Sequence, residues 1–218
     1  MKPNACFFLV LIFSASVFGE PVAGFGQDKS DRVLFWSGAS LKDWETSEFG
    51  TGRDVTDKDG VIQLQAGFPL TGIFSQAIEW PTENYEIELE FQRVEGNDFP
   101  CCLTFPVGDS HCSLVIGGWG GTLVGISCID GIDASANATK KIVSIESGKW
   151  YRARVQVRAD QINCWIDDDQ VVELPTKGLK LTVRNEVRLS RPLGICSFES
   201  TAEFKNFKVF TTPAKKRP

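Results

Sequence analysis

Three glutamates alternate with apolar residues along one short stretch of the chain, at Glu86, Glu88 and Glu90. In a β-strand, alternate residues lie on one face and about 6.5–7 Å apart. Enzymes that hydrolyse glycosidic bonds use two carboxyl groups, about 5–5.5 Å apart when they retain the anomeric configuration and about 6.5–9.5 Å apart when they invert it. The spacing therefore predicts a carboxylate pair that acts on a glycosidic bond. The alternative is a solvent-facing sheet on which arginines such as Arg152 and Arg154 neutralise the glutamates.

The chain contains a single histidine, His111, which follows Asp109 in a turn-like sequence. Because imidazole exchanges protons near neutral pH, His111 is a candidate for proton transfer or for contact with a sugar hydroxyl. Asp109 is a candidate substrate contact beside it. The alternative is a loop histidine without a chemical role. A single histidine also excludes a histidine-rich metal site and any mechanism that needs two imidazoles.

A tryptophan in a glycine-rich run, Trp119 within residues 117–121, is a candidate for sugar binding. Glycine lets a ligand approach the backbone, and an indole face can stack on a pyranose ring. A tight hairpin with a packing tryptophan is the alternative.

Further along the chain, Arg191 forms a cluster with Arg184 and Arg188 and is a candidate for binding a carboxylate or sugar hydroxyls. Surface ion pairs are the alternative there.

Hard oxygen ligands collect at Asp130, Asp133 and Asn137, where they could hold Ca²⁺. The spacing of an EF-hand is absent and the ligands are few, so an ordinary turn built on Asp and Asn side chains is favoured. The sequence contains no phosphate-binding loop, dinucleotide fingerprint or nucleophile elbow. We therefore expect neither a metal nor another cofactor.

The chain contains seven cysteines, of which Cys6 lies in the apolar stretch near its start. Cys112 and Cys128 are symmetric about Gly120. If the glycine-rich run turns a hairpin, these two cysteines face each other on neighbouring strands, which predicts a disulfide between them. Buried free thiols are the alternative.

Strand patterns dominate the sequence and must position these residues. Residues 85–91 and residues 150–157 alternate apolar with charged or polar side chains, and no window shows a sustained helical period. Short strands at roughly 8–15-residue intervals predict an antiparallel sandwich or barrel in one domain. In the last strand, Phe204 and Phe207 cannot share a face under strict alternation, which predicts a bulge or bend near Asn206.

The two ends of the chain differ in composition from the rest. Residues 1–19 combine a basic start, a short apolar run and small residues, which is the pattern of a secretory signal peptide. We expect residues 20–31 to form a flexible lead, residues 32–211 the β-sandwich domain, and residues 212–218 a basic disordered tail. No integral membrane segment is expected after signal cleavage, because the apolar run is too short. The net charge of −5 argues against nucleic acid as a partner.

Five motifs follow one another within residues 33–210. They are Leu34-Phe-Trp-Ser-Gly-Ala-Ser-Leu-Lys-Asp-Trp44, Gly148-Lys-Trp-Tyr151, Ile162-Asn-Cys-Trp-Ile-Asp-Asp168, Pro192-Leu-Gly-Ile195 and Ala202-Glu-Phe-Lys-Asn-Phe207. Their order resembles the 3-keto-disaccharide hydrolase domain family. The resemblance implies an antiparallel all-β sandwich, the concanavalin A-like lectin/glucanase jelly roll, and a glycoside or keto-glycoside as substrate. The glutamates are also similar to the Glu-x-Asp-x-Glu strand of laminarinase-type glucanases, which implies Glu86 as nucleophile and Glu90 as acid/base, with Glu88 in place of Asp.

The sequence thus predicts an exported jelly-roll protein, periplasmic or extracellular, with a carbohydrate ligand. Its candidate catalytic residues are Glu86, Glu90 and His111. Its candidate substrate-binding residues are Glu88, Asp109, Trp119 and Arg191. Many members of the family carry Arg where this chain has Lys205, and this departure keeps a second prediction open, a non-catalytic lectin-like module. A surface interaction protein that binds no glycan is the third.

Overall fold

The computed structural model describes residues 31–76 and 79–213 of the chain. The predicted signal peptide and nearly all of the predicted lead lie outside these residues, as does the tail beyond Pro213. In the described part, the strands form two antiparallel sheets. No helix there is long and apolar enough to cross a membrane.

Sheet 1 contains eight strands. They are β1 (Val33–Ser37), β3 (Val55–Lys58), β4 (Val61–Leu64), β6 (Tyr85–Gly96), β11 (Tyr151–Arg158), β12 (Gln161–Ile166), β13 (Asp169–Pro175) and β15 (Ser200–Thr211). Their order is β13-β12-β11-β6-β15-β4-β3, and β1 pairs with the second half of β15.

Sheet 2 contains seven strands. They are β2 (Glu45–Thr46), β5 (Leu70–Ser75), β7 (Cys101–Val107), β8 (Ser110–Gly117), β9 (Leu123–Ser127), β10 (Lys141–Ile142) and β14 (Leu193–Phe198). Their order is β10-β9-β8-β7-β14-β5-β2. Two 3-10 helices, Leu41–Asp43 and Asn185–Ser190, lie in the connections.

The sheets pack face to face because their strands alternate in hydrophobicity. In β6, Tyr85, Ile87, Leu89 and Phe91 point into the core, as the alternation predicted. Leu103, Phe105 and Leu114 meet them from sheet 2. The Tyr85 hydroxyl donates a hydrogen bond to the backbone carbonyl of Pro106 and so ties the two sheets together.

The predicted irregularity near Asn206 is confirmed. The pairing of β15 with β6 shifts between Lys205 and Lys208, and Asn206 has a positive φ of 55°. The shift returns both Phe204 and Phe207 to the core, where each is 2% exposed. A bulge of this kind is how one strand buries two residues that strict alternation would place on opposite faces.

The hairpin predicted around the glycine-rich run has the expected register but not the expected disulfide. Ser113 pairs with Ser127, and one further step would set Cys112 opposite Cys128. Both thiols are free and buried. The reason is that β9 ends at Ser127, after which the backbone of Cys128 exchanges hydrogen bonds of 2.6 and 3.1 Å with Thr182. Of the two alternatives, the structure contains buried free thiols.

Candidate functional site

The glutamate stripe, Glu86, Glu88 and Glu90, lies on the outward face of sheet 1. Glu86 is only 2% exposed, and its carboxylate accepts hydrogen bonds from Arg32 at 2.9 Å and from Gln156 at 2.8 Å. The same Arg32 nitrogen lies 2.6 Å from Glu88. Two neighbouring carboxylates thus share one guanidinium at the start of the domain.

Further partners complete this surface. Arg154 and Arg158 lie 3.9 and 3.7 Å from Glu86, and Arg154 also stacks over the ring of Trp165. Glu90 accepts a hydrogen bond of 2.7 Å from Asn206 and lies 3.4 Å from Lys205 (its ammonium faces the ring of Trp150). The alternative interpretation, an arginine-neutralised sheet surface, therefore describes the arrangement, although Arg152 pairs with Asp168 instead.

The outward face of sheet 2 is built differently, because a connection runs over it. Residues 182–191, here called the crossing segment, start beside β9, where Thr182 pairs with Cys128, and reach β2, where Ser47 donates to the Leu189 carbonyl at 3.2 Å. Val187 anchors the middle of the segment. It packs in a second apolar cluster with residues from the outward face of sheet 2, which are Leu70, Cys102, Val115 and Cys196. The segment divides this face into two grooves.

The first of these, the tryptophan groove, has a volume of about 240 Å³. It is lined by Leu70, Asp98, Phe99, Cys102, Ser113, Val115, Trp119, Ser127, Arg184, Glu186, Val187 and Phe198. Its floor is sheet 2, its side is the crossing segment, and its rim carries Trp119, which is 43% exposed.

The turn that holds Trp119 depends on its glycines and on one buried arginine. Trp119 and the next two residues, Gly120 and Gly121, all have positive φ, which glycine adopts at little cost. The Asp98 carboxylate accepts a hydrogen bond of 3.0 Å from the Gly120 amide. Arg93, itself 7% exposed, donates to the carbonyls of Asp98 and Ile145 and so fixes both sides of the turn.

Two charged side chains of the tryptophan groove, Arg184 and Glu186, form an ion pair. Arg184 donates to Glu186 at 2.8 Å and to Asp133 at 3.2 Å. The hydrogen bond from Arg184 lowers the pKa of Glu186, and the hydrogen bond from the Ser135 hydroxyl lowers the pKa of Asp133. Both carboxyls are therefore ionised at neutral pH, so neither is suited to donate a proton as a general acid.

The second, the histidine groove, lies on the other side of the crossing segment and has a volume of about 630 Å³. It is lined by Glu45, Thr46, Glu48, Phe74, His111, Arg188, Leu189, Arg191 and Pro192. A recess of about 350 Å³ continues it along the segment and shares His111, Arg188 and Arg191. Burial, and then the charge of Arg191, lower the pKa of His111, so its imidazole is neutral at neutral pH.

The candidate residues from the sequence therefore fall into three places. His111 and Arg191 come together in the histidine groove, and Trp119 lies in the tryptophan groove. The glutamate stripe is on the opposite side of the sandwich from both and does not share a cleft with His111. Asp109 is an exposed residue of the turn between β7 and β8.

Sequence reasoning missed several residues of the tryptophan groove. Ser113 and Ser127 flank the glycine-rich run at outward strand positions, so the period of two could have identified them. Asp98 and Glu186 carry no comparable local signal, since each reaches the groove only through contacts between distant parts of the chain.

Each of the three oxygen-bearing residues considered for Ca²⁺ forms a hydrogen bond within the protein. Asp130 accepts from the Lys180 amide at 2.8 Å, and Asp133 accepts from the Ser135 amide at 2.8 Å. Asn137 donates to the Ile126 carbonyl at 2.8 Å. Of these three hydrogen bonds, the one from the Ser135 amide to Asp133 is that of an Asp-based turn, whereas Lys180 and Ile126 lie outside residues 130–137. Across residues 31–76 and 79–213, no group of three or more His, Cys, Asp and Glu side chains is placed to hold a metal ion.

Comparison with known proteins defines the fold. The family model of the 3-keto-alpha-glucoside-1,2-lyase-like domain matches residues 31–210. No curated protein sequence matches the chain. Three solved structures illustrate the likeness, and at their low sequence identities they show the fold alone, which is the predicted jelly roll.

The first is a carbohydrate-binding module, CBM66 from Bacillus subtilis, with a TM-score of 0.52 and 16% identity over 77% of this chain and 94% of that one. The second is SCLam, a non-specific endo-beta-1,3(4)-glucanase of family GH16, with a TM-score of 0.56 and 11% identity over 84% and 92%. The third is a Bacillus subtilis protein of unknown function with a galectin-like fold, with a TM-score of 0.58 and 10% identity over 84% and 100%.

Proposed function

The chain belongs to the 3-keto-alpha-glucoside-1,2-lyase-like domain family, and from this premise we propose that it is a carbohydrate-binding protein whose glycan ligand lies in the tryptophan groove. The observation that carries the proposal is the indole of Trp119, 43% exposed at the rim of a mostly apolar groove. The exported location predicted from residues 1–19 is part of the proposal, since it would give the protein access to extracellular glycans.

An exposed indole in this position has a physical cost that a ligand would offset. Each Å² of apolar surface that stays in water lacks about 25 cal/mol of the free energy that burial would provide. Trp119 also has a φ of 49°, a value that bulky residues rarely adopt. A pyranose ring that stacks on the indole removes its face from water and is the kind of ligand that an amphipathic aromatic ring suits.

Polar groups around the groove would orient such a ring. The hydroxyls of Ser113 and Ser127 lie in the floor, Asp98 supplies a carboxylate, and the Arg184–Glu186 pair supplies both donors and acceptors. Small-molecule sites combine an apolar lining with a few convergent polar groups of this kind. Because drug-sized ligands occupy roughly 300–1,000 Å³, a groove of about 240 Å³ is proposed to hold a single sugar unit.

The structural neighbours support this class of ligand. One is a carbohydrate-binding module and another is an endo-glucanase, and both share the jelly roll with this chain. A shared fold does not transfer an activity, so this support concerns the ligand class and not a reaction.

The proposal leaves the glutamate stripe out. A glycosidase needs one carboxyl kept protonated and a cleft that admits the substrate. Glu86 is buried beneath Arg32 and Gln156, and Glu90 is held by Lys205 and Asn206. Hydrolysis by Glu86 and Glu90 stays a prediction that this geometry does not favour.

A second candidate function is elimination from a 3-keto glycoside, and the neutral imidazole of His111 favours it. A carbonyl at C3 acidifies the hydrogen on C2, and a base that removes this proton leaves an enolate. The enolate re-forms the C3 carbonyl and a C1=C2 double bond as the C1 substituent leaves with the bonding electrons, and the alkoxide so released takes a proton from water or from the protonated base. His111 would take the proton, and Arg191 would stabilise the negative charge that develops on the C3 oxygen. The lowered pKa of His111 would keep the imidazole unprotonated, and so available as a base, at neutral pH.

Binding is tested by calorimetry of the purified protein with neutral oligosaccharides. We expect the Trp119→Ala substitution to weaken binding by about tenfold, since an aromatic contact is worth roughly 1 kcal/mol or slightly more. Trp165→Ala, which removes an indole from sheet 1, is the matched control and should leave the affinity unchanged. Equal affinities for wild type and Trp119→Ala would refute the proposed site.

Elimination is tested by incubation with 3-keto glycosides and chromatography of the products. Release of the aglycone that His111→Ala abolishes and Glu90→Gln preserves would establish the second function. Release that depends on Glu90 and not on His111 would return the catalytic role to the glutamate stripe.

A further inference from the structure

Two arginines of the histidine groove differ from the other arginines near it in having no acidic partner. Within the described residues, neither the Arg188 nor the Arg191 guanidinium has a carboxylate oxygen within 4.0 Å, whereas Arg184, on the same segment, is paired twice. Both side chains are exposed to the groove. A pair of cations three residues apart without a counter-ion is a site at which an anion would be attracted.

The backbone holds these two side chains in place. Arg188 donates to the Asn185 carbonyl at 3.2 Å, and the Arg191 Nε donates to the Arg188 carbonyl at 3.0 Å. Each guanidinium is therefore tethered through one nitrogen and keeps further N–H groups for a ligand. Because a guanidinium presents its donors in a fixed planar fork, a tethered pair is already arranged for oxyanions.

The remaining walls define what else the ligand must contain. Glu45 and Glu48 line the groove from the edge of sheet 2, and Glu45 accepts a hydrogen bond of 3.3 Å from Gln76. His111 is neutral beside the arginines, so it donates or accepts a hydrogen bond without competing for the anion. A ligand that fits has its negative group at one wall and hydroxyl donors for the carboxylates at the other.

We infer that the histidine groove binds the anionic substituent, a carboxylate or a sulfate, of an acidic glycan. The inference rests on the proposed carbohydrate-binding function and adds to it the class of glycan. Neutral sugars satisfy the acidic wall through their hydroxyls but leave both arginines without a partner, whereas a uronic acid or a sulfated sugar satisfies both walls.

Calorimetry with three probes of equal length tests the inference. The probes are an oligogalacturonate, its methyl ester and a sulfated neutral oligosaccharide. We expect the ester to bind about tenfold or more weakly than the free acid, because it loses the charge-assisted hydrogen bonds. Added salt should weaken binding of the acid and not that of the ester. The sulfated probe identifies which anion is preferred, and tight binding of either anionic probe supports the inference.

Variants locate the effect. Arg188→Gln/Arg191→Gln should remove the preference, so that the acid and the ester bind with equal affinity. The control, Lys149→Gln/Arg152→Gln, makes the same change in net charge at exposed positions in or just before β11 of the other sheet and should keep the preference. Loss of the preference in both double variants would assign it to net charge and overturn the site.

The outcomes separate this inference from the proposed function. Equal binding of the acid, the ester and the sulfated probe, dependent on Trp119, would overturn the inference and leave the proposed function standing. No binding of any glycan would overturn the proposed function, and the inference with it.

Discussion

The two outward faces of the sandwich are made from the same alternating pattern but differ in how their charges are used. On sheet 1, guanidinium and amide groups form hydrogen bonds and ion pairs with the glutamate stripe, and Glu86 is 2% exposed in spite of its charge. On sheet 2, a connection crosses the strands and leaves an exposed indole and two arginines without acidic partners among the described residues. The comparison teaches that the regular row of charges belongs to a surface whose charged groups are paired within the protein. The candidate binding groups lie where an irregular connection covers a sheet.

The largest expected effect is a loss of stability when the ion pairs on the outward face of sheet 1 are broken. Glu86→Ala would leave Arg32 without one of its two carboxylates and would remove an anion near Arg154 and Arg158, and removal of one partner from a buried ion pair costs about 3–5 kcal/mol. We expect a loss toward the lower limit, because these guanidiniums are partly exposed. Urea unfolding monitored by tryptophan fluorescence measures it. Glycan binding by the folded variant should be unchanged, and a large loss of affinity would contradict the separation of the two faces.

A second substitution tests how the Trp119 turn is supported. Arg93→Met would leave the buried Ile145 carbonyl without its side-chain donor, whereas the Asp98 carbonyl would keep its hydrogen bond from the Ser200 hydroxyl. An unsatisfied buried polar group costs about 1–3 kcal/mol. Stability and glycan affinity should fall together, since the turn loses its support. A stable Arg93→Met variant that binds as wild type would show that the glycines alone hold the turn.

A third substitution acts on the crossing segment. Val187→Ala should cost about 1–2 kcal/mol by the loss of buried methyl groups. Cys102 and Cys196 lie beneath Val187, so a thiol reagent should label these two before Cys164, which lies in the core between the sheets. Mass spectrometry of partly labelled protein gives the order. Simultaneous labelling of all three would mean that the segment opens only when the whole domain unfolds.

Glu90 offers a smaller effect on the same face as Glu86. Its partners are partly exposed, and exposed ion pairs contribute about 0–1 kcal/mol. Glu90→Gln should therefore change the free energy of unfolding by less than about 1 kcal/mol. A loss as large as that of Glu86→Ala would mean that the stripe stabilises the domain as one unit.

The smallest effect is a dependence on pH. Because the folded protein disfavours the charged imidazole, the pKa of His111 is lower than in the unfolded chain. Its contribution to stability is present above about pH 6.5 and is lost as the pH falls through the lowered pKa. The imidazole resonances in proton NMR should titrate below the usual range, and Arg191→Gln should move the midpoint upward. A midpoint that does not respond to Arg191→Gln would assign the shift to burial alone.

How far the sequence predicts this structure depends on the range of the interactions involved. Alternation over residues 85–91 predicted a strand and its buried face, and the spacing of Phe204 and Phe207 predicted the bulge, because both are properties of neighbouring residues. The register of the hairpin around residues 117–121 was predicted for the same reason. The disulfide predicted between Cys112 and Cys128 is absent, since the end of β9 is set by a distant partner, Thr182.

The site required the same long-range information. Arg184, Arg188 and Arg191 were recognised as a cluster, but their placement over sheet 2 follows from contacts with Cys128 and Ser47, which are far away in the chain. Because the sequence does not reveal these contacts, the glutamate stripe was the most regular set of charges from which a site could be predicted. Its regularity arises from the strand period and says nothing about whether a substrate can reach it.

The crossing segment also has a consequence for engineering. Val187 holds its middle, and the segment uses backbone groups at both ends, where Thr182 pairs with Cys128 and the Leu189 carbonyl accepts from the Ser47 hydroxyl. The positions that face the grooves are therefore exchangeable without disturbing the sandwich beneath. A library that varies the groove-facing residues between Thr182 and Leu189 and keeps Val187 would vary the lining of both grooves on a constant scaffold, in the way that antibody loops vary on theirs.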